Sequence, residues 1–268
     1  ANLRWLCYEA ITDVVFLEKV IKMISPDIIC VMPQDHFLQQ IASALARKNN
    51  IPTLGCSAAW ETGTASSFRR HLHVDKLATS GEKMRNMYIA SGLEPDRVFA
   101  TGIAHFDSLF NRNKEQDKEV LRGCAIDPDK SIIVFATDWL PVRETEAMLT
   151  GVINAVLKIK DMWLVVKVHP REDAEPFHTI TGRYRDPRIQ VVKDVDLYAL
   201  LSNCQLVITK GSTVALEAMM IGKPVIILDL SDHPVAVPYL KEEAAFGVFR
   251  EQDIEQAILK VLYDEETR

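Results

Sequence analysis

"VITKGSTVALEAMMIGKPVIIL", residues 207–228, is apolar almost from end to end, yet it carries one carboxylate, Glu217, at its centre. The run divides into strand, turn, helix and strand. QLVITK (205–210) is a β-branched strand, Gly211 permits a tight turn, and Ser212 is a favoured helix N-cap. TVALEAMMIG (213–222) is the helix and PVIILDL (224–230) the next strand. Strands this continuously apolar are covered on both faces, as in a parallel α/β sheet. Glu217 does not fit a capping box, which would place the acid at the third helical residue, Ala215. It lies four residues after Thr213, on the same face and one turn deeper. A carboxylate among Val214, Leu216, Met219 and Ile221 must be paired or hydrogen-bonded, because burying it bare is costly. The turn at Lys210, Gly211, Ser212 and Thr213 offers hydroxyls, free N–H groups and a helix dipole to a phosphate. An acid one turn beyond reaches a ribose diol. The competing reading is a buried ion pair, with Lys223 as the partner.

Outward from this stretch the same alternation fills the chain. Strands are expected at 27–33, 51–57, 74–80, 96–102, 131–138, 163–170, 188–192, 205–210 and 224–230, with helices at 1–23, 35–50, 81–92, 143–160, 196–203, 213–222 and 251–266. FDSLFNRNKEQDKEVLRGCAIDPDK (106–130) is charged and then turn-forming. It marks the boundary between an N-terminal Rossmann-like lobe, 1–118, and a C-terminal one, 119–268. The first lobe is expected to lack the strand and glycine-rich turn that would precede Ala1.

Ligands of such sheets sit beyond the carboxyl ends of the strands. That rule selects Pro33–His36, the loop after Ser57, 102–107, Asp138, 169–171 and 210–213. In VVKVHPRED (165–173), Pro170 stops the strand and His169 faces a ligand, with Lys167 or Arg171 adding charge. Asp35 and His36, at a strand end, are candidates for an acid and base pair, against the equally good reading of Asp35 as the cap of the next helix. The proline-rich segment after 224–230 carries Asp232 and His233. His71 and His73 alternate as strand neighbours, but no cluster around them makes a metal site.

Composition bounds the rest. The chain has 268 residues, 48% hydrophobic, with a formal net charge of −6. That suits two lobes with real cores and excludes a nucleic-acid footprint. Five cysteines are scattered without CxxC spacing, as in reduced proteins, and are expected in or beside strands. No apolar run reaches the roughly 18 residues of a membrane span.

The segments KVHPRE (167–172) and LYALLSNCQLVITKGSTVALEAMMIGKPVIIL (197–228) resemble the nucleotide-binding lobe of GT-B-type glycosyltransferases and their relatives. The relatives include non-hydrolysing UDP-N-acetylglucosamine 2-epimerases, CDP-glycerol glycerophosphotransferases and capsule-polysaccharide transferases. Two further segments, 26–55 and 81–110, resemble the first lobe of the same families. The resemblance implies phosphate contacts for His169, Ser212 and Thr213, ribose for Glu217, donor-sugar contacts for Asp232 and His233, and a nucleotide-sugar-binding role for the lobe 119–268. It implies a transferase moving a sugar from a UDP, CDP or CMP donor, in surface polysaccharide synthesis, with no cofactor and no metal. Asp35, His36 or Glu61 would then supply the base.

The epimerase pattern is met less fully. Where those enzymes carry a glutamate this chain has Ser57, with Glu61 in the same loop, and Gln34 replaces a glycine before Asp35. An epimerase with Asp35 and His169 in family roles is the second reading, and a non-catalytic nucleotide-sugar-binding module the third. The expected partners are a nucleotide sugar and a glycan, lipid-linked or phosphorylated acceptor, with no nucleic acid. A cytoplasmic protein is expected, able to form a homodimer and to associate with the inner face of the membrane.

Overall fold

The structure is a computed structural model that describes residues 3–32, 37–56, 73–231 and 238–264. They form two compact units, Ala1–His105 and Phe106–Arg268. The first contains α1 (Leu3–Ile24), β1 (Ile29–Val31), α2 (Phe37–Lys48), β2 (Thr53–Cys56), β3 (Lys76–Thr79), α3 (Glu82–Ala90) and β4 (Val98–Ala100). Its sheet is parallel, in the order β1-β2-β3-β4. Val31, Leu77 and Val98 pack with Met84 and Tyr88 of α3. Asp75 ties β2 to β3 by accepting both the Thr53 N–H and its hydroxyl at 2.8 Å.

The second unit runs α4 (Asp107–Phe110), α5 (Lys114–Gly123), β5 (Ser131–Ala136), α6 (Val142–Lys158), β6 (Met162–Lys167), α7 (Glu175–Gly182) and β7 (Ile189–Val192). It continues with α8 (Leu197–Asn203), β8 (Leu206–Thr209), α9 (Val214–Met220), β9 (Val225–Leu228), α10 (Pro238–Lys241), β10 (Phe246–Val248) and α11 (Ile254–Tyr263). All its strands pair in parallel, in the order β10-β9-β8-β5-β6-β7. Counting from β5, this is the doubly wound order that reverses direction at the first strand. The reversal opens a crevice above β5 and β8. Strands β5, β8 and β9 are buried almost without exception, as strands covered on both faces must be.

The expected α/β class and the restart of the alternation at β5 agree with this structure. The units divide earlier than the 118/119 boundary. Helix α5 belongs to the second unit: its Leu121 packs with Ala199 and Leu200 of α8, and Arg112, just before it, reaches Asp196 at 3.2 Å. Helices α4, α5, α7 and α10 and strand β10 were not anticipated. The described cysteines are free, but of them only Cys204 is buried, and Cys30 of β1 is exposed.

Helix α6 buries Thr145, Met148, Leu149, Val152, Ile153 and Val156, a stripe at helical spacing. Gly151 lets it approach α11, because a Cβ there would lie 2.5 Å from Ile254 Cδ1. Gly151→Val is expected to destabilise the chain by about 1–3 kcal/mol through overpacking, read as a lower urea midpoint with unchanged slope. No described helix is long and apolar enough to cross a membrane.

Candidate functional site

Three strand ends meet at the crevice. Strand β5 delivers Thr137 and Asp138, β6 delivers His169, and β8 delivers Lys210 to Thr213. A cleft of about 410 Å³ is lined by Thr137, Lys167, His169, Lys193, Asp196 and Ser212, among others. Three of the expected nucleotide ligands, Lys167, His169 and Ser212, therefore share one wall system with the β7–α8 loop.

His169 is held from three directions. Its N–H donates to the Thr137 hydroxyl at 2.8 Å, its carbonyl accepts the Glu172 N–H at 3.0 Å, and its Nδ1 accepts the Arg171 N–H at 3.1 Å. A nitrogen that accepts carries no proton, so the neutral ring bears its hydrogen on Nε2. His169 is thereby a hydrogen-bond donor, suited to a phosphate oxygen rather than to taking a proton through Nε2.

At the β8–α9 turn, Asp138 Oδ2 accepts the Thr209 hydroxyl at 3.2 Å and the N–H groups of Lys210 and Gly211 at 3.0 Å. Burial pushes the Asp138 carboxyl above its ordinary value, opposed by these three donors and by His169 nearby. The turn's first two N–H groups are thus already taken. The N-cap is Thr213 rather than Ser212, with no side-chain cap; Ser212 Oγ accepts the Val214 N–H at 3.4 Å. Helix α9 has only seven residues, ending where Gly222 adopts φ 71°. Its dipole is correspondingly slight, so the site depends more on side chains than the sequence suggested.

Glu217 is 7% exposed, and burial raises its carboxyl to about 7. The ion pair with Lys223 is not formed. Lys223 Nζ instead donates to the carbonyls of Ser202 at 2.9 Å and Cys204 at 2.8 Å. Tyr198 lies near Glu217: its phenol is raised first by burial and then by that carboxylate.

The expected lysines are otherwise engaged. Lys210 Nζ sits 3.3 Å from Asp229 and 3.4 Å from Glu144, so its charge serves carboxylates and is not spare for a phosphate. Lys167 Nζ donates to the carbonyls of Val168 at 3.0 Å and Lys193 at 2.9 Å, forming part of the cleft floor. Burial lowers its ammonium below the ordinary lysine value. Arg171 is exposed and lies over the Trp139 ring, 5.4 Å from its centroid. Gly211 lies at a bend between β8 and α9 and spends its N–H on Asp138.

Asp35, His36, Glu61, Asp232 and His233 lie outside the described residues, as does His71. Among the described residues no three His, Cys, Asp or Glu side chains gather as a metal site requires. Sequence reasoning overlooked Thr137, Glu172, Lys193 and Asp196, and assigned no role to Asp138. The strand-end rule pointed at Asp138; the others become visible only through long-range hydrogen bonds.

Comparison with known proteins agrees with this architecture. A family profile described as UDP-N-acetylglucosamine 2-epimerase matches residues 10–268. The S. aureus MnaA–UDP co-structure is 18% identical, with a TM-score of 0.74, covering 100% of this chain and 75% of that one. UDP-GlcNAc 2-epimerase from Neisseria meningitidis bound to UDP-GlcNAc is 16% identical, with a TM-score of 0.75, covering 96% and 74%. At such identities the likeness establishes the fold. Protein FixF of Sinorhizobium fredii is 35% identical over 101 residues, which is 38% of this chain and 24% of that protein's length. The family match overturns the glycosyltransferase expectation. The residues behind that expectation lie in the second unit, at the ends of β6 and β8 and in α9, and they do not report what happens to a sugar.

Proposed function

Because the chain belongs to the UDP-N-acetylglucosamine 2-epimerase family, we propose that its second unit holds the nucleotide of a UDP-sugar and that the protein is an epimerase-like enzyme acting at C2 of that sugar. Phosphate would meet His169 Nε2–H and the Ser212–Thr213 turn. Ribose would meet Glu217. Neither Ser212 nor Thr213 gives its N–H to an acceptor among the described residues, so both are available to an anion.

The observation that carries the reading is Glu217: a carboxylate buried one turn beyond the phosphate turn, with its proton affinity raised by burial. A ribose diol presents two hydroxyl donors, the chemistry that offsets such burial. Inversion at C2 requires a proton removed from one face and returned to the other. His169, as an Nε2–H donor, is better suited to the phosphate than to that transfer. Asp35, His36 and Glu61 are the proposed proton-transfer groups. Ser57, where the epimerases carry glutamate, makes the sugar chemistry the step to test.

The test pairs calorimetric titration of UDP, CDP and CMP with incubation of UDP-N-acetylglucosamine in D₂O. UDP is expected to bind in preference to the cytidine nucleotides, and the sugar H2 proton resonance to disappear as C2 exchanges. Preference for CMP or CDP would overturn the nucleotide assignment. UDP binding without exchange at C2 would overturn the epimerase assignment and leave a binding module.

A further inference from the structure

We propose that Glu172 is a positioning residue that, through the Thr137 hydroxyl, holds His169 in place to meet a nucleotide phosphate. The inference deepens the reading above and rests on it for the identity of the ligand.

Thr137 is 3% exposed and Glu172 8%. The Thr137 hydroxyl donates to Glu172 Oε2, which spends the one hydrogen that hydroxyl has. Its oxygen is then available only as an acceptor, and it receives the His169 N–H at 2.8 Å. Glu172 also gives its own N–H to the His169 carbonyl at 3.0 Å. Both backbone polar groups of His169 therefore terminate on Glu172, one directly and one through Thr137. The arrangement is anchored in turn, because Lys193 Nζ donates to the Glu172 carbonyl at 2.6 Å and Lys167 Nζ to the Lys193 carbonyl at 2.9 Å.

A buried carboxylate is a costly way to orient one hydroxyl, and it carries a further cost here. Glu172 Oε1 is buried with no hydrogen-bond partner among the described residues. Fold stability alone gives no reason to keep such an oxygen, and buried polar atoms left unsatisfied call for an explanation. A carboxylate, unlike a hydroxyl, can only accept. It fixes the direction of the Thr137 hydrogen, and through it the strand-end backbone that aims the His169 ring. Only Oε2 is used in this, so glutamine can replace glutamate: its amide oxygen accepts the Thr137 hydrogen, and its NH₂ takes the place of the unpartnered oxygen.

The test measures UDP affinity by calorimetry, and the His169 ring tautomer by long-range ¹H–¹⁵N spectra, in the wild type, Glu172→Ala, Glu172→Gln and Thr137→Val. The wild type is expected to show the Nε2–H tautomer. Glu172→Ala and Thr137→Val are each expected to weaken UDP by about tenfold, the loss of one buried hydrogen bond, and to mix the tautomers. Glu172→Gln is expected to stay within about twofold of the wild type, on the same scale. Wild-type affinity and tautomer in both disruptive variants would overturn the proposal, as would a glutamine variant as weak as the alanine one. Should Glu172→Ala fail to fold, the isosteric Thr137→Val decides. Failure of the wild type to bind UDP would refute the nucleotide reading, while the tautomer spectra, which need no ligand, still judge the relay.

Discussion

Replacing Glu217 with alanine is expected to weaken UDP binding by at least about tenfold, the lower end of the roughly 1.5–3 kcal/mol carried by a hydrogen bond to a charged group. The pH dependence should separate this role from a structural one. Burial raises the Glu217 carboxyl from its ordinary 4.5 to about 7. Ribose hydroxyls donate to the ionised form and favour it, so binding should release a proton. UDP affinity is then expected to rise between pH 5 and 8, with proton release visible as a buffer-dependent heat. Folding stability measured without UDP should behave in the opposite sense. A carboxyl whose folded value lies above its unfolded one is penalised when ionised, so this contribution to stability is complete below pH 4.5 and declines as pH rises through 7. Glu217→Gln should remove the penalty. It should match the wild type at pH 4 and exceed it by about 1–2 kcal/mol at pH 8, a figure discounted for partial solvent access. Urea midpoints at the two pH values measure this. An alanine variant that binds UDP as well as the wild type would remove the principal support for the nucleotide reading.

Arg112→Ala should be the most destabilising of the charge substitutions. Arg112 lies between α4 and α5, where its Nε donates to Asp117 Oδ1 at 2.9 Å and Oδ2 at 3.0 Å, and its Nη2 to Oδ1 at 2.5 Å. The Asp117 side chain is only 4% exposed. Removing the guanidinium strands a buried carboxylate, which costs about 3–5 kcal/mol. The same guanidinium reaches Asp196 at 3.2 Å and lies over the Tyr198 ring, 5.8 Å from its centroid. Asp196 caps α8 by accepting the N–H groups of Tyr198 at 2.8 Å and Ala199 at 3.0 Å, and it also lines the cleft. Loss of stability should therefore come with weaker UDP binding. In the double variant Arg112→Met, Asp117→Leu no charge is left buried and unpaired, so most of the stability should return. Denaturation of both variants checks this, and equal stability of Arg112→Ala and the wild type would show that Asp117 finds another partner or reaches water.

Much of the architecture was legible in the residues themselves. The runs at 131–136, 162–167, 206–209 and 225–228 are strands whose nearly unbroken apolar residues are covered on both faces, and the stripe along α6 follows the helical period. Strand β10 and helix α7 escaped because they are short and their patterns weak. Glu217 stood out for a local reason: a lone acid at a core-facing helical position needs a partner, wherever the helix packs. The His169 turn was marked in the same way, by a proline ending an apolar strand.

What the tertiary structure alone decided is where the charges end. Lys210 looked available beside a phosphate turn, but β9 brings Asp229 to it, and α6 brings Glu144. Lys223 looked like the partner of Glu217 and instead closes the carbonyls after α8. Thr137 and Glu172 are 35 residues apart in the chain, and no spacing rule links them. Strand order has the same standing: only the pairing of β5 with both β6 and β8 puts the crevice, and with it the site, above those strands. Hydrophobic period is a property of neighbours along the chain, and sequence shows it directly. The partner of a buried charge is set by which strands lie side by side, and that is a property of the folded sheet.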